Sequence, residues 1–219
     1  MLSSKEFPRF YGRRKGRKLS KSGILALKEG SKYILEYDKF SEIFLNFKDK
    51  IILEIGFGDG KNLINSAKQN PDTFYIGADP FLNTTVKCLK QILENNLNNI
   101  KIWPDDIRKI IEFFPSKSIS EVKLLFPDPW PKLKHQNRRL VQTDFLNRIY
   151  KILKIKGTIT IGTDHTILKS WILGVFQASS KFDWQVEDTK DWRTRPKECF
   201  ATRYQEKSLK EKRKPNWFV

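Results

Sequence analysis

Within residues 126–139 the chain places one carboxylate, one indole and a run of cations. Phe126, Pro127, Asp128, Pro129, Trp130, Pro131 and Lys132 lead into Lys134, His135, Arg138 and Arg139. The apolar stretch just before, residues 122–126, reads as a buried strand. Asp128 would then stand at a strand's carboxyl end, the rim where open α/β sheets bind ligands. Prolines on both sides stiffen the turn and restrict how Asp128 and Trp130 point. An acid beside a stacking surface beside phosphate-binding cations points to chemistry on a nucleobase. Trp130 in such a turn serves packing equally well, and the cations equally suit a solvated helix start.

A second cluster lies upstream. Glu54, Gly56, Gly58 and Gly60 follow an apolar strand and open a helix. Glycines there take positive φ and let the backbone approach a ligand closely. The spacing is G-x-G-x-G; a dinucleotide fingerprint would need glycine at position 61, which is Lys61. No Gly-Lys-Ser/Thr follows, so the loop is not a P-loop. Asp79 ends the next strand, where an acid accepts from ribose hydroxyls. Asp105 and Asp106 end the third, near an adenine position, with the strand end favouring Asp105. Glu54 could face an ammonium group. Acids near successive strand ends suit an adenosyl ligand with a cationic amino-acid tail and repel a pyrophosphate. S-adenosyl-L-methionine (SAM) therefore fits better than NAD.

Five strand–helix repeats must position these residues. Strands are expected over 51–57, 74–79, 100–103, 122–126 and 158–163, with helices over 60–69, 82–97, 106–114, 140–154 and 165–178. The alternation predicts an α/β fold, a mostly parallel, doubly wound sheet with helices on both faces. Apolar residues in 22–47, Phe47 among them, predict helical pieces over one edge. The tail offers short extended runs at 184–186 and 200–204. Residues 1–21 have no hydrophobic period and read as a basic, flexible arm ahead of one domain, 22–219.

Charge is concentrated. The formal net charge is +17, and residues 1–21, 132–139 and 203–214 hold +15 of it. Three blocks rather than a uniform coat resemble a polyanion footprint. No stretch has the apolar length of a membrane span, and the N-terminus lacks a signal-like apolar core. Cys88 and Cys199 stand apart without a motif, which fits a reducing cytoplasm. His135 and His165 are the only histidines, so no metal site is expected.

With these residues together, the chain resembles the bacterial tRNA (guanine-N7)-methyltransferases, from about Gly23 to the C-terminus. The resemblance implies a Rossmann-like, SAM-dependent enzyme that methylates the variable-loop guanine of tRNA without metal or obligatory protein partner. It implies that Glu54, Asp79, Asp105 and Asp128 contact the cofactor, with Asp128 catalytic. It implies that Lys132 and Asp164 contact substrate, as do Thr202, Arg203, Tyr204 and Gln205, and that the 133–139 run contacts RNA. Gln205 stands where the family usually has Glu, which exchanges a charge for a neutral amide. Asp164 has a competing expectation as a helix N-cap. Two rival functions follow from the same residues. One is methylation of an exocyclic amine, since Asp-Pro-Trp is similar to the Asp-Pro-Pro-Tyr loop of such enzymes. The other is tRNA binding without catalysis.

Overall fold

The structure is a computed structural model that describes residues 9–36, 40–46 and 50–219. Residues 1–8 of the expected arm and Phe47 lie outside the described residues.

Continuous apolar runs form the central strands because both faces of the sheet are covered. β1 (Ile51–Ile55) and β2 (Phe74–Ala78) are buried at every position. β3 (Ile100–Trp103), β4 (Ile119–Leu125), β5 (Leu153–Thr163) and β6 (Asn216–Phe218) complete one six-stranded sheet of order β3-β2-β1-β4-β5-β6. The first five strands are parallel and β6 runs antiparallel to β5. The order reverses between β1 and β4, so the crevice beyond their carboxyl ends is the expected ligand position.

Two apolar clusters flank the sheet. On one face α3 (Lys61–Gln69) and α4 (Leu82–Glu94) bring Leu63 and Leu89 against Ile52 and Tyr75. On the other, α5 (Thr143–Ile152) and α6 (Thr166–Gln177) bring Ile149 and Leu168 against Leu53 and Ile161. Leu53, Leu63, Ile76 and Leu89 are wholly buried; each such side chain contributes roughly 1.5–3 kcal/mol relative to exposure. Two short helices, α1 (Lys21–Glu29) and α2 (Phe40–Asn46), precede β1. Ser20 starts α1 by accepting from the Gly23 N–H.

Several segments depart from the sequence expectation; among them, β5 already begins at Leu153 and residues 184–186 form no strand. Residues 106–114 form two 3₁₀ turns, Ile107–Lys109 and Ile111–Phe113, rather than one α-helix. Ile107, Ile110, Ile111 and Phe114 are all buried, so the helical period in the sequence is met by two tight turns. α5 starts at Thr143 rather than at 140, because Gln142 Nε2 donates to the carbonyls of Gln136 and Arg139 and closes the preceding loop. In the tail, the 200–204 run is not extended: the Thr202 hydroxyl caps α8 (Arg203–Lys210). The strand is instead Asn216–Phe218, and α7 (Thr189–Arg193) packs beside it.

Residues 9–20 carry no regular secondary structure, yet they make defined contacts with the sheet's rim. The Leu82 N–H donates to the Arg14 carbonyl at 2.9 Å. The Gly16 N–H donates to Asn83 Oδ1, and Asn83 Nδ2 to the Arg17 carbonyl.

Candidate active site

Beyond the carboxyl ends of β1, β2 and β4 lies a cavity of about 460 Å³. The glycine loop, Asp79, Asp106, Asp128, Trp130 and Tyr204 are among its walls. A larger hollow, about 1210 Å³, lies around the start of β5 and is lined by Leu153, Ile159, Phe176 and Trp184. It contains none of the rim acids, so its size does not make it the chemical site.

Gly56, Gly58 and Gly60 have φ of 73°, 58° and 82°. A side chain at Gly56 would meet no atom within 4 Å; the space in front of this backbone belongs to the cavity. At Gly60 the reason differs. A Cβ there would lie 3.0 Å from Cys88 Sγ, so glycine lets α3 begin hard against α4.

Asp79 is buried and organises the loop. Its carboxylate accepts from the Gly58 N–H at 2.9 Å, the Phe81 N–H at 2.8 Å and the Thr84 hydroxyl at 3.0 Å. Burial raises its pKa; these three bonds oppose the rise, and the Asp128 charge adds to it.

Glu54 does not line the cavity. It is 2% exposed, behind the loop, and accepts from Asn62 Nδ2 at 2.7 Å. Burial raises its pKa to about 7, against the Asn62 bond and the Lys123 charge. The stability consequence has a definite sign. A carboxyl whose pKa rises from 4.5 to about 7 on folding favours the native state below 4.5. That contribution is lost as pH rises through 7. Glu54→Gln should therefore stabilise the ligand-free protein at pH 8, by on the order of 3 kcal/mol, and hardly at all at pH 4.5. Denaturant melts at the two pH values check this, and equal gains at both would refute it.

At the end of β3 the two acids divide. Asp106 borders the cavity, with both oxygens held by Arg108 at 2.6–3.1 Å. Asp105, preferred from its strand-end position, is absent from the cavity walls. It faces Arg14 and Lys109, each at 2.5 Å. Partial burial would raise its pKa, but the Lys109 bond, the Asp106 N–H and Arg14 together lower it.

Asp128 stands at the cavity mouth in a strained turn. Phe126 and Trp130, on either side, take φ of 56° and 40°, which non-glycine residues adopt at a cost. The Phe126 N–H, bonded to the Gly162 carbonyl, anchors the turn's start. Arg139 anchors its end. The sequence reading groups Arg139 with the phosphate-facing cations; the structure turns it inward. It is 5% exposed, donates to the Pro129 and Trp130 carbonyls at 3.1–3.3 Å, and stacks 4.6 Å from the Trp171 ring centroid. Surrounding protein atoms raise the Asp128 pKa, though the side chain remains exposed and water screens the effect.

Arg138, one residue earlier, faces the cavity and lies over both Trp130 (5.1 Å) and Tyr11 (4.5 Å). Tyr11 and its neighbour Phe10 come from the basic arm and line the cavity. Sequence reading missed them; the aromatic pair inside a basic run was the available signal. His135 packs edge-on to Trp130, while Lys132 and Lys134 are exposed. Slight burial, with the charges of Arg138, Lys134 and Lys132, lowers the His135 pKa.

The remaining predicted residues separate. Asp164 pairs with Arg213 at 2.6 Å; His165, not Asp164, occupies the N-cap of α6. Thr202 turns inward as the α8 cap, and buried Gln205 accepts from Arg195 at 3.3 Å. Arg203 is exposed. Tyr204 reaches the cavity near Gly58, and its phenol pKa is raised by burial and by the Asp128 and Asp79 charges. Carboxylates and an open glycine backbone fit a ligand bearing hydroxyls and positive charge.

The family described as "Putative methyltransferase" matches residues 48–217. A protein of Hyphomonas neptunium named tRNA (guanine-N(7)-)-methyltransferase is 38% identical, covering 96% of this chain and 97% of its own. A Bartonella quintana protein of the same name is 34% identical, covering 96% and 94%. Among solved structures, an antibiotic-related methyltransferase superposes with TM-score 0.51 at 21% identity, over 84% of this chain and 92% of its own. An rRNA methylase from Streptococcus thermophilus does so with TM-score 0.51 at 12% identity, over 83% and 90%; at these identities the likeness concerns the fold. The sequence identity over nearly the whole chain shows that it belongs to the tRNA (guanine-N(7)-)-methyltransferase family.

Proposed function

We propose that this chain transfers a methyl group from SAM to N7 of a guanine in tRNA, with the variable-loop guanosine as target. The observation that carries the proposal is the shared cavity. A positive-φ glycine loop, Asp79, Asp106 and Asp128 meet there beneath the Trp130–Arg138–Tyr11 rim. When bound, the cofactor supplies an activated methyl on a sulfonium.

The chain's own residues provide placement. Gly56 and Gly58 let the backbone approach the cofactor, and Asp79 and Asp106 offer acceptors for its hydroxyls and adenine edge. Glu54 supplies negative charge behind the loop for the ammonium group. Asp128 orients guanine and stabilises the positive charge that develops on the purine when the N7–C bond forms and the C–S bond breaks. N7 carries its own lone pair, so the residues need remove no proton from it, and most of the rate comes from alignment. The cations Arg138, Lys132 and Lys134 hold phosphates; Tyr204 and Trp130 give aromatic surfaces for the base. The reading places the protein in the cytoplasm with tRNA; no described helix is long and apolar enough to cross a membrane.

The test is transfer of labelled methyl from SAM to two unmodified tRNA transcripts, one with the variable-loop guanosine and one with adenosine in its place. Label on the first alone is expected. Equal label on both would discard the target, and label on an exocyclic amine would discard N7. Tight tRNA binding with no label on either would leave a binding protein.

A further inference from the structure

Asn62 lies outside every motif of the sequence, yet it joins two parts of the site. It is the second residue of α3 and 1% exposed. Its Oδ1 accepts from the Phe200 N–H at 2.7 Å, and its Nδ2 donates to Glu54 Oε2 at 2.7 Å. The amide has no freedom to flip. A backbone N–H at one end requires the oxygen there, which leaves the NH₂ for the carboxylate. Phe200 stands two residues before Thr202, whose hydroxyl starts the helix that carries Tyr204 to the cavity. Buried Lys123 adds an anchor to the same segment, donating to the Glu198 carbonyl at 2.8 Å.

We infer that Asn62 is a positioning residue that couples the cofactor-side carboxylate of Glu54 to the substrate-side segment 200–205. The inference rests on the methyltransferase reading above. Through one amide, the orientation of Glu54 and the placement of Tyr204 become a single geometric condition. The separation of 138 positions from Asn62 to Phe200 makes this a contact of the folded chain alone.

The charges around Glu54 define what losing Asn62 would do. Lys123 of β4 favours the ionised carboxylate; Glu121 of β4 and Asp59 of the glycine loop oppose it. Tyr75 of β2 and Cys199 of the tail also face it, but burial raises both to about 12. Burial likewise raises Cys88 of α4 well above its usual value. These three groups therefore stay neutral near pH 7. Without the Asn62 donor, burial is less opposed and Glu54 holds its proton to higher pH.

The test uses the full chain with Asn62→Ala and Asn62→Asp, measuring SAM affinity from pH 6 to 8.5 and the tRNA KM and kcat. The ratio of variant to wild-type SAM affinity cancels the ligand's own titration. For Asn62→Ala we expect about a tenfold loss at pH 6 that fades towards parity by pH 8.5, because fewer molecules then carry ionised Glu54 at the lower pH. The tRNA KM should rise as well, since the Phe200 N–H loses its acceptor. Asn62→Asp keeps that acceptor, so it should spare the tRNA KM while moving the SAM profile further up in pH, two adjacent carboxyls sharing a proton.

A loss that is independent of pH, or no loss, overturns the inference. So does Asn62→Asp raising the tRNA KM as much as alanine does. A different result would strike the underlying reading instead: wild-type protein that fails to bind SAM, or Glu54→Gln that binds it unchanged.

Discussion

Asp128→Asn should lower kcat for methyl transfer by about 10²–10³-fold, the loss seen when one preorganised electrostatic group is removed from a transition state. The substitution preserves shape and removes only the charge. Asp128 lies at the cavity mouth between two residues held at positive φ, and such strain persists where a side chain must point one way. The carboxylate opposes no positive charge in guanine before reaction and a full one after it, so its effect belongs to the transition state. tRNA affinity should be nearly unchanged, because the phosphate contacts come from other residues. Single-turnover transfer with saturating tRNA measures the step directly. A kcat within about threefold of wild type would remove Asp128 from the chemistry, since that is under 1 kcal/mol of barrier.

Arg138→Ala and Arg139→Ala, one residue apart, should fail in different ways. Arg139 is buried under the Asp128 turn and donates to the Pro129 and Trp130 carbonyls. Removing it leaves both carbonyls without their charged donor and opens space beside Trp171. We expect a stability loss on the order of 3 kcal/mol and a collapse of kcat, as the turn relaxes from its strained form. Arg138 is stacked on Tyr11 and Trp130 at the cavity. Its loss should leave the melting temperature nearly intact, raise the tRNA KM, and reduce the salt slope of binding by about one phosphate contact. Thermal melts and salt-dependent tRNA titrations of both variants separate the two roles. A reduced salt slope for Arg139→Ala with unchanged stability would reverse the assignment.

This pair marks the limit of what a linear pattern carries. Nothing in two consecutive arginines says which one faces inward; that depends on Trp171 arriving from α6 and on the path of the turn. The Asn62 bridge has the same origin, as does the seating of Tyr11 against Arg138, since each joins segments far apart in the chain. The 200–204 run reads as extended because Phe200, Thr202 and Tyr204 alternate as aromatic and β-branched residues, but Thr202 is also a capping residue, and its hydroxyl accepting from the Gln205 N–H decides for a helix. The 106–114 stretch shows that a helical apolar period is satisfied by tighter turns when a short connection must bury four large side chains.

What the sequence by itself determined were the features that local physics controls. Apolar runs alternating with amphipathic stretches gave the parallel sheet, and three glycines gave a backbone that can take positive φ. Prolines around Asp128 marked a stiff turn at a strand end. Only the tertiary structure decided which acids border the cavity, which cations face outward and which residues join the two halves of the site. Those outcomes depend on burial and on partners brought together by folding, and side-chain direction at the ends of strands is set by neighbours that no local period encodes.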